Sequence, residues 1–341
     1  MTIRVLLLAD SHLGFDLPVR PRVNRRRRGH DFLANYAEAL KPALDGEVDL
    51  VVHGGDVFDR SRVVPSLAYQ AFEPLVRIAD RGVPVFIVPG NHERSTLPHL
   101  RFAKHPGVHV FDRARTYVAE LNGLRLAVSG FPYERGVRAR FPDVLRQTEW
   151  NKVTADARVL CVHHCVEGAT VGPVNYTFTS ADDVVRHRDV PLDFTAVFSG
   201  HIHRRQAITE DLARRPLATP VLYPGSIERT ATAEIGETKG YMLVTIAPAQ
   251  PARWEFRDLP ARTMIRKDID PAGMSDDELG AIVRQVLAES PVDAVLYLRM
   301  VTGLTDAQWR VMSSSALRAM APPTMNVELV VPARERPRGL Q

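Results

Sequence analysis

Short apolar runs alternate with amphipathic stretches at the start of the chain. Ile3 to Ala9, Leu50-Val51-Val52 and Val83 to Val88 are continuous apolar runs of strand length. That pattern belongs to strands covered on both faces. Between them, Asp31 to Leu44 sets Phe32, Tyr36, Ala39, Leu40 and Ala43 at helical spacing. Leu67 to Arg81 sets Ala68, Phe72, Val76 and Ala79 on one helical face, with Ser66 as N-cap and Gly82 as the stop. This β-α-β-α-β order predicts a parallel sheet with helices on its faces.

From about Val108 the pattern turns strand-rich. Val108 to Phe111, Thr116 to Leu121 and Leu124 to Ser129 read as strands, with Asn122-Gly123 as a hairpin turn. Val159 to Val162, Ala196 to Ser199, Val221 to Tyr223 and Tyr241 to Ile246 read as further strands, and Ala247 to Ala252 as a surface connection. The chain then resets. Strand Thr263 to Ile269, helix Ser275 to Ala288, strand Ala294 to Val301, helix Asp306 to Met320 and strand Asn326 to Val330 form a compact unit of their own. The expected domains are therefore 1–258, a smaller α/β domain over 259–331, and a loose Arg/Pro-rich tail over 332–341.

Composition sets the class. The chain has 341 residues, 45% of them hydrophobic and 25% charged, which fits one large and one small globular domain and excludes wholesale disorder. No apolar stretch approaches the roughly 20 residues of a membrane span, and no signal-peptide pattern is present. Two cysteines, Cys161 and Cys165, cannot build a disulfide framework, so a reducing cytoplasm is expected. They read as small buried fillers. The net charge of +4 is mild and carried almost wholly by arginine. A local cluster says more: Arg20, Arg22 and Arg25-Arg26-Arg27-Arg28 follow one another without an intervening acid.

Five segments that each follow an apolar strand carry the candidate chemistry. They are Asp10-Ser11-His12, Gly54-Gly55-Asp56-Val57-Phe58-Asp59, Gly90-Asn91-His92-Glu93, His163-His164 and Gly200-His201-Ile202-His203. Ligand sites in open α/β sheets lie at the carboxyl ends of strands, so all five are expected at one edge. Together they offer oxygen and imidazole donors and no thiolate, which suits Mn, Fe or Zn in a hydrolytic site better than a structural zinc. In an extended segment Asp10 and His12 point the same way and can share one ion, and His201 and His203 repeat that spacing. A carboxylate has two oxygens, so Asp56 is the natural bridge between two metals that clamp a phosphate for in-line displacement. A lone D-x-H or H-x-H is common without a metal, and Asp59 fits a local cap or ion pair. The ordered set of five is what distinguishes this sequence.

The series D-x-H, G-D-x-x-D, G-N-H-D/E, H, G-H-x-H resembles the calcineurin-like metallophosphoesterases. Within them the chain is similar to the SbcD-type DNA-repair exonuclease subunits, bacterial relatives of the nuclease of the eukaryotic MRN complex. Asp10-Ser11-His12-Leu13-Gly14, Gly55-Asp56-Val57-Phe58-Asp59, and Tyr223 to Thr230 with Glu237 to Gly240 carry that narrower resemblance. It is close over 1 to about 258. Beyond Arg262 only the layout is similar to the family's DNA-capping domain.

The resemblance implies an α/β two-sheet sandwich flanked by helices, with a small C-terminal cap. It implies one metal on Asp10, His12, Asp56 and His203, and a second on Asp56, Asn91, His163 and His201, usually Mn. His92 would contact the scissile phosphate and help the leaving oxygen depart. His163 is placed as the ligand because it directly follows the Val159–Val162 run, and His164 as a supporting or structural residue. His30, His53, His99, His105, His109 and His187 read as surface or packing residues. Glu93 stands where this branch usually has Asp. The implied activity is exonucleolytic and single-strand endonucleolytic hydrolysis of DNA. The rivals are a phosphodiesterase for small nucleotides or other phosphoesters, and a non-catalytic DNA-end-binding scaffold. Arg25 to Arg28 read either as a solvated loop or as a rail for DNA phosphates. The implied partners are DNA, an SbcC-type ATPase and a second copy of the chain. Only about ten residues follow the last expected strand, so the helices that usually dock the ATPase are not expected.

Overall fold

The computed structural model of the protein describes residues 1–17 and 25–332. The chain divides into two compact units, Met1–Leu17 with Asp31–Pro260, and Pro18–His30 with Ala261–Gln341. The second break lies two residues from the expected 258/259 boundary. The segment before Asp31, by contrast, groups with the C-terminal unit and interrupts the continuous first domain that the sequence led us to expect. Arg20, Arg22 and the tail from 333 onward lie outside the described residues.

The first unit holds two six-stranded sheets. One runs, in spatial order, Arg253–Asp258, Gly240–Ile246, Ile3–Leu8, Leu50–His53, Val85–Ile87, Val108–Val110. The last four of these strands are parallel; Gly240–Ile246 pairs antiparallel with Ile3–Leu8, and Arg253–Asp258 antiparallel with Gly240–Ile246. The other runs Gln206–Glu210, Pro216–Tyr223, Ala196–Ser199, Ala157–Val162, Leu124–Gly130, Arg115–Leu121. Its four central strands are parallel and its two outer strands antiparallel.

Strand alternation divides the core. Ile3, Val5, Leu7, Leu50, Val52 and Phe86 meet Val128, Val159, Cys161, Phe198 and Leu222 of the second sheet. Leu6 and Leu8 point the other way, onto Phe32, Tyr36 and Leu40 of helix Arg28–Leu44 and Phe72 and Leu75 of helix Pro65–Asp80. On the far side of the second sheet, Leu160, Val162, Val197 and Val221 pack on Val137, Phe141 and Leu145 of helix Val137–Gln147. The layers are helix, sheet, sheet, helix. Both faces of the central strands are therefore buried, which is why they read as unbroken apolar runs. Cys161 and Cys165 are buried and unpaired, as fillers should be.

Some elements depart from the expectation. Val64, not Ser66, precedes the second helix, with Pro65 in its first turn. There a missing N–H costs nothing, and no side-chain cap is present. The edge strands Gln206–Glu210 and Arg253–Asp258 were hidden by their polar, half-exposed sequences. Helix Val137–Gln147 was hidden by three arginines and the internal Pro142. Asn122 and Gly123 take φ of 53° and 75°, the paired left-handed backbone of a tight hairpin turn.

The second unit contains the parallel sheet Met264–Ile269, Val295–Met300, Asn326–Val330, packed against helix Asp276–Glu289 through Leu279, Val283 and Leu287. The single helix expected over Asp306 to Met320 is two helices, Asp306–Val311 and Ser314–Met320. The chain breaks at Ser313 because its hydroxyl accepts the Ala316 N–H and starts a new helix.

Candidate metal centre

All five motif segments meet at the carboxyl ends of the central strands. Two of them zip together: Gly54 N–H donates to Leu8 O at 2.8 Å, Asp10 N–H to Gly55 O at 2.9 Å, and His12 N–H to Asp56 O at 3.0 Å. The extended geometry assumed for Asp10 and His12 is not what places them. Asp10, His12, Asp56 and His201 have φ of 51°, 42°, 51° and 79°, left-handed backbone that side-chain-bearing residues adopt at a cost of roughly 1–3 kcal/mol each. The backbone bonds between the two loops hold that strain. Space is equally constrained. A Cβ on Gly55, itself at φ +107°, would strike the His163 ring, and one on Gly90 would strike the Asp56 carboxylate.

The side chains then converge. Single donor atoms of Asp10, His12 and His203 lie within 4.8 Å of one another, as do those of Asp10, Asp56 and His163, and of His12, Asp56 and His92. His12 Nε2 faces His203 Nε2 at 3.0 Å. Asn91 Oδ1 is 3.1 Å from His163 Nε2 and 2.8 Å from His201 Nδ1. Asp56 Oδ2 is 3.2 Å from His163 Nε2, while its Oδ1 accepts the His92 N–H at 2.9 Å. The Asp10 Oδ2 atom is buried without a hydrogen-bond partner, although its Oδ1 accepts the His201 N–H at 3.0 Å. A buried carboxylate oxygen with no donor, next to two imidazole nitrogens turned toward each other, is a cation site in chemical terms. The seven residues fit divalent metal.

Their electrostatics show the same need. Burial pushes the Asp10 carboxyl up, against the pull of His163 and His203. Burial also opposes charge on Asp56, yet the adjacent His163 outweighs it and holds that carboxyl well below its usual range. Burial disfavours the His163 imidazolium, but Asp56 reverses this and pushes it up to about 9. Burial and His203 drive His12 far down, and burial and His163 bring His201 down to about 3. Protons thus stand where cations would otherwise balance two buried carboxylates.

His92 sits at the open side, its side chain 38% exposed and its Nε2 3.9 Å from Asp56 Oδ2. Its Nδ1 donates to Asp59 O at 2.7 Å. Asp59 also pairs with Arg60 at 3.2 Å, and its Oδ1 lies 3.9 Å from His12 Nδ1. Glu93 is buried and accepts the Phe58 N–H at 2.7 Å and the Gly90 N–H at 2.8 Å, tying two motif loops together. Burial and the Asp56 charge push it up to about 8, against those two donors. His164 is buried against Tyr133 and accepts the Glu134 N–H, so it supports the loop rather than entering the site. His53 is buried against Ser11 at 2.8 Å and His187 against Thr219 O at 2.7 Å, both packing residues.

The calcineurin-like phosphoesterase family matches residues 3–205, more than half of the chain. The chain belongs to that family. The family uses divalent metals, and the two-sheet α/β fold is that of a metallophosphoesterase. Among its relatives, the DNA double-strand break repair protein Mre11 of Thermoplasma acidophilum is 25% identical over 273 residues, covering 77% of this chain and 67% of that protein. Mre11 of Haloferax volcanii is 28% identical over 301 residues, covering 87% and 61%. The SbcD component of the nuclease SbcCD of Bacillus subtilis is 28% identical over 286 residues, covering 74% and 68%. The matched region is about two thirds of these relatives' own length.

The arginine cluster is corrected by the structure. Arg25 turns its guanidinium onto backbone carbonyls within the second unit, those of Arg318 and Pro322 at 2.5 Å and Met325 at 3.0 Å. It thereby caps the end of helix Ser314–Met320. Arg28 is buried, 3% exposed. A rail of four guanidiniums presented to phosphate is not what these residues form; Arg26 is the exposed member and Arg27 is half-buried. Sequence reading also left Thr230, Glu234 and Lys239 without a role, though the last lies in the E-x-K-G motif. The signal was there: two acids and a lysine, Glu234, Glu237 and Lys239, just before the strand Gly240–Ile246.

Proposed function

We propose that the chain is a dinuclear-metal DNA nuclease that hydrolyses phosphodiester bonds as an exonuclease and cuts single strands endonucleolytically. The observation that carries this reading is the convergence of His12, Asp56, His163 and His203 on Asp10, whose Oδ2 has no hydrogen-bond partner, with Asn91 set against His163 and His201. One ion would be held by Asp10, His12, Asp56 and His203, and the other by Asp56, Asn91, His163 and His201, with Mn the metal proposed. Ions so held supply Lewis acidity toward phosphate oxygens and make a nucleophile available at neutral pH. The protein's own part is orientation and proton handling. Asp56 faces both donor groups, and its charge is sustained by His163. His92, anchored at Nδ1 by Asp59 O, turns Nε2 toward Asp56 at 3.9 Å, and in its imidazolium form can donate a proton from there to the leaving oxygen as negative charge builds up.

DNA as substrate is favoured by the names of the matched relatives, the Mre11 repair proteins and the SbcCD nuclease. An SbcC-type ATPase and a second copy of this chain are the proposed partners. Among the described residues no helix is long and apolar enough to cross a membrane, and a cytoplasmic location is proposed. The test is direct. Purified protein and a His92→Ala variant are incubated with Mn and end-labelled duplex, single-stranded DNA, a cyclic nucleotide and a chromogenic diester. Mn-dependent DNA cleavage by the wild type, lost in the variant, is expected. Cleavage of the small diesters alone would move the reading to a small-substrate phosphodiesterase. Arg26 and Arg27 are proposed phosphate contacts; replacing both with Ser should flatten the salt dependence of DNA binding by about two counterions.

A further inference from the structure

Lys239 is fully buried, its side chain 0% exposed. Lysine is almost never found so unless its charge is matched. Its ammonium donates to Glu237 Oε2 and to the His203 carbonyl, each at 2.9 Å, and forms an ion pair with Glu234 Oε2 at 2.6 Å. Glu237 is also bound by Arg204 Nε at 3.0 Å, so two carboxylates face two cations. The other oxygen of Glu234 points the opposite way. Oε1 lies 3.2 Å from His203 Nδ1 and accepts the Thr230 hydroxyl at 2.8 Å.

This orders the protons. The Thr230 hydroxyl, 3.2 Å from His203 Nδ1, gives its hydrogen to Glu234 Oε1, and an ionised carboxylate only accepts, so His203 Nδ1 carries hydrogen and donates it to Glu234. Nε2 is then left with its lone pair, and Nε2 is the atom that faces His12 Nε2 at 3.0 Å. The other imidazoles are backed differently. His163 Nδ1 lies on the uncharged Gly54 carbonyl at 2.8 Å, and the carboxylate nearest His12 Nδ1, Asp59 Oδ1, stands off at 3.9 Å, beyond hydrogen-bond reach. A carboxylate behind the distal N–H of a ligating histidine locks the tautomer and ring and raises the basicity of the ligating nitrogen.

We infer that Glu234, held in place and neutralised by the buried Lys239, is a positioning residue that sets His203 as a metal ligand and makes the Asp10–His12–Asp56–His203 position depend on it. This rests on the metal-centre reading above and gives the E-x-K-G segment a physical task in it. The rival is a purely structural network: Lys239 and Arg204 also tie the segment around Glu237 to the loop that carries His203. Glu237 separates the two, because it shares both cations but does not touch His203.

The experiment uses the full chain, stripped of metal and titrated with Mn(II), read by calorimetry and by electron paramagnetic resonance. Wild type is expected to take up a spin-coupled Mn pair. Glu234→Gln preserves shape but removes the charge. It should weaken one of the two binding events about 10–100-fold, leave the other within about threefold, and show the hyperfine spectrum of isolated Mn(II) at concentrations where wild type shows the pair. Glu237→Gln should bind both ions within about threefold of wild type. An unchanged Mn pair in Glu234→Gln overturns the inference, and so does an equal loss in Glu237→Gln, which would mark the network as structural. Melting of the metal-free variants shows whether each is folded; loss of one ion by a folded Glu234→Gln supports the assignment. Wild type that binds no Mn pair overturns the metal-centre reading itself, and a wild-type pair with Glu234→Gln unaltered overturns this inference alone.

Discussion

Two regions of this protein obey opposite rules. In the C-terminal unit, local sequence and local structure agree. Ser275 accepts the Glu278 N–H while Glu278 reaches back to the Ser275 N–H, and Thr305 and Gln308 do the same at the next helix. These are reciprocal caps that satisfy donors a helix end leaves exposed. At the metal edge of the first unit, local preference is violated at Asp10, His12, Asp56 and His201, all in left-handed backbone. Carboxylates and imidazoles are also buried there without enough charge to balance them. The first region is built for stability and the second is held by it, the expected division when strain is kept at a working site.

The widest separation of the two roles should come from Asp10→Asn. Its amide oxygen can still accept the His201 N–H, but the charge is gone. DNA cleavage with Mn should fall on the order of 10³-fold, as for loss of a single strong electrostatic group in other enzymes. The metal-free melting temperature should stay the same or rise, because burial disfavours that carboxylate in the folded state. A clear drop in melting temperature would mean the site contributes to stability after all.

A smaller effect concerns pH. In the metal-free protein the Asp56 carboxylate outweighs burial and pushes the His163 imidazole up to about 9, so at neutral pH it is expected to hold a proton that ligation must expel. Apparent Mn affinity should therefore rise as pH increases from 7 to 9, by up to about tenfold per unit, and level off above. Calorimetry in buffers of differing ionisation enthalpy should detect the released proton. An affinity independent of pH over that interval would show that His163 is already neutral.

The smallest effect belongs to the other region. Ser275→Ala should cost about 1 kcal/mol of stability by removing one cap. Hydrolysis of a small chromogenic diester should be unaltered. Denaturant unfolding and a steady-state assay on the same preparation decide this, and a loss of diester activity would break the division drawn here.

How much of this was legible beforehand depended on the kind of residue. Val5, Leu6 and Leu7 announced a strand because both its faces are covered, and Asp31 to Leu44 announced a helix because one face is. Edge strands such as Arg253–Asp258 did not, because half their residues meet solvent. Of the site, the segments that carry Asp10, His12, Asp56, Asn91, His163, His201 and His203 stood out by their place after apolar strands, and the family resemblance named the ligands within them. An extended segment is not what aligns Asp10 and His12: the backbone at both is left-handed. Neither reading of the arginine run, solvated loop or phosphate rail, anticipated Arg25 on the carbonyls at a helix end, because such a run looks the same in all three settings.

The sequence by itself determined the buried central strands and the helices that cover them, and it set the five motif segments after apolar strands, since these follow from apolar periodicity and residue chemistry at strand ends; the assignment of ligands within those segments came from the family resemblance. Only the tertiary structure decided that residues 25–30 belong with the C-terminal unit, that Glu93 joins two loops, and that Lys239 and Glu234 stand behind His203. Those relations link positions tens to hundreds of residues apart. A hydrogen bond across such a separation leaves no periodicity in the chain, and it exists only once the sheets have brought its partners within reach.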